Sequence, residues 1–276
     1  MRFAETLIMI TMLAPASAQA PRTQNVPPTE VTGATYVEVD ESTGIWILRG
    51  SPVVVTRGAA SVRAPSMTYD SRQQIVRASG GVVYADPSAT LESAQVTAWL
   101  QEERLLAEGQ VAGVLREGPQ ETHLRSQVLE AWRKERRAVA TGEVQIRRGE
   151  FTLSSGRVEY LEAQQRATAT GRGTVTAPEG RLSADRIDAF LDREEAIADG
   201  NVEISLRPGS DPSGLPIEGR SPKAVLRRPE GIAVLSGGAT VRQGQNTVTA
   251  LEITIDLRAN RMVATGQAHL VVYSGR

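Results

Sequence analysis

The 276-residue chain sets 31 Lys and Arg against 32 Asp and Glu, a formal net charge of −1, with acids and bases interleaved along its length. Such a balance offers neither a nucleic-acid groove nor a polybasic membrane patch. It contains no cysteine, which excludes a disulfide framework, a thiolate metal site, a cysteine nucleophile and a lipobox, so stability has to come from an apolar core.

The first element is an address. Residues 7–13 form a short apolar core after Arg2, and small residues stand at Ala16 and Ala18. The pattern predicts a signal peptide over residues 1–20, cleaved after Ala18, because cleavage after Ala20 would leave Pro21 at the new terminus. Glu5 weakens the positive region and keeps an uncleaved anchor as the competing reading, although the apolar stretch is far below the roughly 20 residues that span a bilayer. Residues 21–32 are polar and proline-bearing, which reads as a disordered lead-in.

From there to residue 273 the chain repeats itself. Glycines stand at Gly50, Gly80, Gly109, Gly142, Gly171, Gly200, Gly237 and Gly266, and five of the seven intervals are 29 or 30 residues. Thirteen and eleven residues before each glycine lie apolar side chains, such as Val158 and Tyr160 before Gly171, or Ile187 and Ala189 before Gly200. Four and two residues before it lie another apolar pair, and a polar segment such as 70–74 or 192–195 separates the two pairs. Period-two alternation around a polar turn predicts two half-buried strands per unit, hence about sixteen antiparallel strands in eight strand-turn-strand units. Residues 100–107 and 131–140 carry good helix formers, but an alternation kept in register with the other copies outweighs propensity. The glycine marks a bulge in the second strand. Two insertions lengthen the period, a Pro- and Gly-rich loop over 207–222 and a shorter one near 116–123.

Catalytic chemistry finds no support in these residues. His123 and His269 sit in distant units, the carboxylates are scattered over turns and outer faces, and Gly171-Arg172-Gly173 lacks the helix a phosphate loop needs. The reading is a nonenzymatic protein with no catalytic residue, no metal and no cofactor.

Two stretches carry a family resemblance: Ser183-Ala184-Asp185-Arg186-Ile187-Asp188-Ala189 followed by Ala196-Ile197-Ala198-Asp199-Gly200-Asn201-Val202, and Gly156-Arg157-Val158-Glu159-Tyr160 followed by Ala167-Thr168-Ala169-Thr170-Gly171. They resemble the repeat of the OstA-like family, the organic-solvent-tolerance amino-terminal domain of lipopolysaccharide transport, over about residues 33–273. The resemblance implies an all-β, twisted, open β-jellyroll in the periplasm whose apolar interior holds lipid acyl chains. It implies lipopolysaccharide or another acyl-chain amphiphile as ligand and other β-jellyroll transport components as partners, with no nucleic acid involved. The chain departs from the family in being longer than a typical bridge protein, without the barrel of the translocon or a long membrane anchor.

The residues say something of the interior themselves. Positions four and two before the glycine are all alanine in the three central units: Ala138, Ala140, Ala167, Ala169, Ala196 and Ala198. With Val144, Ile146, Val175, Val202 and Ile204 on the continuing strands, and Val158, Tyr160, Ile187 and Ala189 on the preceding ones, they are the candidate lining of a lipid groove. Small side chains leave either a hollow slot or closer strands around a dry, full core, and both readings stand. Full enclosure of a chain of ~12 carbons would gain on the order of 10 kcal/mol, too tight for hand-off, so a carrier needs a slot open to one side. Ten residues before the glycine, on the opposite face, run Trp99, Trp132, Leu161 and Phe190, flanked in outer units by Asp40, Asp70, Arg227 and Asp256. This stripe is either a cap on the core's edge or an apolar patch for a partner. The last strand, 267–273, has no following unit to cover its edge, so head-to-tail homo-oligomers or edge-strand pairing with similar jellyrolls are expected. The competing function is a structural scaffold of the cell envelope using the same stack to bind partners.

Overall fold

The computed structural model describes residues 29–117, 120–207 and 215–273. The expected signal peptide, residues 21–28 of the lead-in and residues 208–214 of the Pro- and Gly-rich insertion lie outside them. The chain divides into two compact units at residues 142 and 143.

The first unit runs β1 (Thr29–Asp40), β2 (Ile45–Arg57), β3 (Ala60–Asp70), β4 (Ile75–Ala85), β5 (Ala89–Trp99), β6 (Arg104–Glu117) and β7 (Gln120–Trp132), each paired antiparallel with the next. Strand β8 (Arg137–Arg148) carries the chain across the division. In the second unit β9 (Phe151–Leu161), β10 (Arg166–Ala177), β11 (Gly180–Phe190), β12 (Glu195–Leu206), β13 (Ile217–Arg227), β14 (Ile232–Gln243) and β15 (Asn246–Asp256) form the same kind of meander. It ends in β16 (Arg261–Thr265) and β17 (His269–Val271), which both pair with β15. Among the described residues no first strand pairs with a last one within either unit, so the fold is the all-β, twisted, open β-jellyroll implied by the repeat.

Three boundaries differ from those read off the sequence. β1 starts at Thr29, inside the stretch read as lead-in, because residues 29–32 find partners in 54–57 of β2. β13 takes up residues 217–222 of the expected loop. The eighth unit contributes two short strands where one was expected: Gly266 interrupts the ladder, and only β15 is there to hold both pieces. The stretches with helix-forming composition are strand and turn, as the alternation required.

Seven of the eight repeat glycines sit in bulges built alike, whereas Gly50 is not left-handed and the left-handed glycine beside it is Gly33 of β1, at φ 69°. At Gly109 the backbone turns left-handed (φ 80°), and Gln110 follows at φ 54°, so that two residues of β6 face the single Gln127 of β7. The same pair recurs at Gly142-Glu143, Gly171-Arg172, Gly200-Asn201 and Gly266-Gln267, and as Gly80-Gly81 and Gly237-Gly238. Two consecutive left-handed residues bend the strand sharply, splitting it into a turn-side arm before the glycine and a far arm after it. Opposite two of these bends stand Pro65 and Pro222, which suit a break in pairing because they have no N–H to leave unpaired.

A second left-handed residue lies six positions before each glycine, at Gly44, Gln74, Glu103, Arg136, Gln165, Glu194, Gly231 and Asn260. It closes the turn and aims its carbonyl at the next turn: Leu100 N–H donates to Gln74 O at 2.9 Å, Arg133 to Glu103 at 2.9 Å and Leu191 to Gln165 at 2.8 Å. These bonds offset the steric cost of the conformation, roughly 1–2 kcal/mol for a residue with a Cβ. Where aspartate stands at the stripe position it caps its own turn, as Asp70 does by accepting from the N–H groups of Arg72 and Gln73. The hydroxyls of Ser42 and Thr43 hold the Asp40 carboxyl down at about 2 by the same geometry.

Candidate functional site

The inner face of each bend collects the apolar pairs. In the first unit Met67, Ala78, Val82, Tyr84, Val96, Leu105, Ala107, Val111 and Leu129 are buried there, with Ala138 and Ala140. In the second unit Val158, Tyr160, Ala169, Ile187, Ala198, Val202 and Ile204 are buried, as is Val144. The other five candidate lining residues are half-buried: Ala167, Ala189 and Ala196 on the turn-side arm, Ile146 and Val175 on the far arm. Small side chains on the turn-side arm thus leave the rim of the inner face partly open, while the residues nearest the bend are closed off from water.

Near the bend the second unit is filled by its own side chains. A methyl group at Gly219 would sit 2.7 Å from Leu235 Cδ2 and 2.8 Å from Ile204 Cγ1, and one at Gly173 would sit 3.2 Å from Ile187 Cδ1. Leu235 and Ile187 belong to turn-side arms, Gly219 and Gly173 to far arms, so the two arms interdigitate across the bend. The inner face is thus filled by side chains at the bend and half-buried at the rim.

Sequence reasoning missed one inner position. Sixteen residues before the glycine stand Ala34, Ala64, Ser93, Ser126, Ser155, Ala184, Ser221 and Ala250, small in every unit. Ser93, Ser155 and Ser221 donate to the carbonyl two residues on, at 3.0, 3.1 and 2.8 Å, satisfying an acceptor beside the break in pairing. The signal was present as a fixed offset of Ala and Ser. Among the described residues Thr122 Oγ1 and Ser126 Oγ are buried with no protein partner.

Tyr84 places the polar tip of an inner-face ring at the far-arm edge of the first unit, where its hydroxyl donates to Asp86. Burial and the neighbouring carboxylate push the phenol up. Burial also works to raise the Asp86 carboxyl, but the donors Tyr84, Ser88 and Ala89 outweigh it and leave the group below its ordinary value. Asp86 Oδ1 accepts from the N–H groups of Ser88 and Ala89, both at 2.7 Å, and so shapes the link into β5.

Arginines cover the three aromatic members of the outer stripe. In the first unit the Arg104 guanidinium lies 4.4 Å from the Trp99 ring centre and 5.9 Å from that of Trp132, and Arg137 lies 4.5 Å from that of Trp132. Arg104 is itself held by Glu130 at 2.6 Å. In the second unit Arg193 stacks on Phe190 at 4.3 Å. All four stripe residues are half-buried, so the three rings and Leu161 do not form a bare apolar patch.

Among the described residues no group of three or more His, Cys, Asp or Glu is arranged to hold a metal ion, and no helix is long and apolar enough to cross a membrane. His123 lies 3.5 Å from Glu121 on an exposed strand surface, and His269 is exposed on β17.

Bent antiparallel hairpins with an apolar inner face and a polar outer one define an open β-jellyroll. Residues 123–261 match the family described as LptA/(LptD N-terminal domain) LPS transport protein, and the chain belongs to that family. The three units around Gly50, Gly80 and Gly109 precede the matched segment, yet share its turns. Among solved structures the chain is similar to LptH of Pseudomonas aeruginosa, described as the LptA homologous periplasmic component of the lipopolysaccharide transport device. The identity is 15%, with 55% of this chain and 95% of that chain covered and a TM-score of 0.30. No curated protein matches the chain.

Proposed function

We propose that this protein is an exported, nonenzymatic carrier that takes the acyl chains of lipopolysaccharide, or of a similar amphiphile, into the rim of its apolar inner face and passes them across the periplasm. One observation carries the reading: the inner face is apolar along the array, and its rim in the second unit is lined by the half-buried alanines Ala167, Ala189 and Ala196. An interior meant only to be filled would carry larger side chains there. Ala167→Trp tests it. This position lies at the rim, where a ring has room, whereas Ala169 is buried beside Gly173 and would be overpacked. The variant should keep its β circular-dichroism signal and lose binding of a fluorescent fatty acyl probe. Unchanged binding in a folded variant removes the rim from the account.

The filled bend around Gly219 supports the second reading, an envelope scaffold with a dry core. It separates from the first by mass spectrometry of lipids co-purified from the native envelope, which a scaffold lacks.

Assembly through sheet edges belongs to the same proposal. At β1, Val37 and Val39 are exposed at positions that are inward-facing in other units, and at β17 Leu270 is exposed in the same way. An uncovered edge with apolar flanks takes a strand from a second copy or from a related jellyroll, and a heterologous contact of this kind need not close. Sedimentation should show a concentration-driven ladder that Leu270→Pro collapses to one species. A single monomer across the micromolar range for the unmodified chain, with no partner cross-linked at Val271, ends the bridging part of the proposal.

A further inference from the structure

Side-chain bonds between turns of this protein mostly join neighbours, as Lys134 does by donating to Gln101 O and Arg133 by pairing with Glu103. Arg228 does something else. It sits in the β13–β14 turn, at the tip of a turn-side arm, and reaches the tips of far arms in the same unit. Its Nε and Nη2 donate to Glu179 Oε1 in the β10–β11 turn at 3.3 and 3.2 Å, across a sequence separation of 49. Its guanidinium carbon lies 4.7 Å from the ring centre of Phe151, the first residue of β9. On its own side Nη1 lies 3.6 Å from Glu194 Oε2, in the preceding turn. One cation thus ties two carboxylates and a ring from opposite lips of the bend.

We infer that Arg228 is a latch across the mouth of the slot, and that its release opens a lateral port through which an acyl chain enters and leaves. The inference deepens the proposed carrier function and rests on it for the identity of what passes. Beneath the latch the lips are not packed shut: Ala167, Ala189 and Ala196 on one side and Leu153 and Val175 on the other are half-buried. Behind them Val158 and Ile187 are closed off from water. The polar bridge is therefore a contact between lips whose loss uncovers the apolar face without unpicking the bend.

Its strength suits reversible opening. The side chains of Arg228 and Glu179 are 45% and 47% exposed, so the pair sits in a high dielectric and is screened by salt over about 8 Å at physiological ionic strength. The stack on Phe151 adds planar contact that a lysine ammonium cannot reproduce. Loss of the guanidinium leaves Glu179 and Glu194 facing the gap as like charges, so the lips are then pushed apart as well as released.

The absence of cysteine makes the test clean, since any introduced pair is the sole one in the full chain. Spin labels at Pro178→Cys and Pro229→Cys, exposed neighbours of the latch on the two lips, should give one narrow distance distribution. Arg228→Glu should make it longer and broader, and Arg228→Lys should fall between. An unchanged distribution in Arg228→Glu overturns the latch whatever the lipid does. In a second arm, Glu179→Cys with Arg228→Cys is oxidised to staple the lips. Exchange of a fluorescent fatty acid should slow by at least about tenfold and recover on reduction. Equal exchange rates in the two states overturn the port. Lips that open in the label experiment, in a chain that binds no acyl probe in either state, uphold the latch as a closure and overturn the carrier reading.

Discussion

Gly109→Val should destabilise the first unit by about 3 kcal/mol, while Gly81→Asn, at the second position of an equivalent bulge, should cost only about 1 kcal/mol. Gly109 is left-handed at φ 80°, a conformation in which a β-branched residue is strained, and an added Cβ would lie 2.7 Å from Ala94 Cβ on the paired strand. Neither the backbone, held by pairing on both sides, nor a methyl bonded to the backbone of β5 can move away cheaply. Gly81 is also left-handed, yet nothing lies within 4 Å of where its Cβ would be, and other units place Gln110, Glu143, Arg172 and Asn201 at that offset. Urea unfolding of the two variants reads the difference, with amide exchange in β6 reporting whether the loss is local. Equal costs at the two positions would mean that the bulge is not what makes the glycine necessary.

How far the sequence discloses this fold follows from the same contrast. The period, the inward pairs and the first bulge glycine are legible because each leaves a residue type that only one environment explains: a glycine where Cβ clashes, an apolar pair where water is excluded. The left-handed turn residues are not, since Gln74, Glu103, Arg136, Gln165 and Glu194 are ordinary helix-tolerant side chains. Their strain is offset by a hydrogen bond from the next turn, and a bond to backbone leaves no mark on composition. The outer stripe was legible as apolar residues but not as a covered surface, because the covering guanidiniums of Arg104 and Arg137 come from neighbouring strands five residues before a glycine. Arg228 is the extreme case: the twist of the stack, with no local pattern, brings it to Glu179. The candidate lining was legible as a face, but which of its members are buried and which half-buried depends on how side chains from the two arms meet.

That meeting is testable at Gly219. Leu235→Ala should destabilise the second unit by about 2–5 kcal/mol, because Leu235 is fully buried and fills the notch that Gly219 leaves in the opposing arm. Gly219→Ala alone should cost about 1–3 kcal/mol for the opposite reason: its methyl would stand 2.7 Å from Leu235 Cδ2 and 2.8 Å from Ile204 Cγ1. If the two side chains share one space, the changes do not add. Gly219→Ala placed on Leu235→Ala should be close to neutral or partly restoring, since the methyl then enters the cavity the leucine vacated, and the double-mutant cycle should show a coupling of about 1 kcal/mol or more. Additive losses would mean that the arms do not interdigitate, and the bend would be as open to an acyl chain as the rim. The two outcomes assign different depths to the slot. A filled bend confines hydrocarbon to the rim beneath Arg228, where burial is partial and release is fast. An open bend would enclose it along the full inner face and hold it too tightly to pass on.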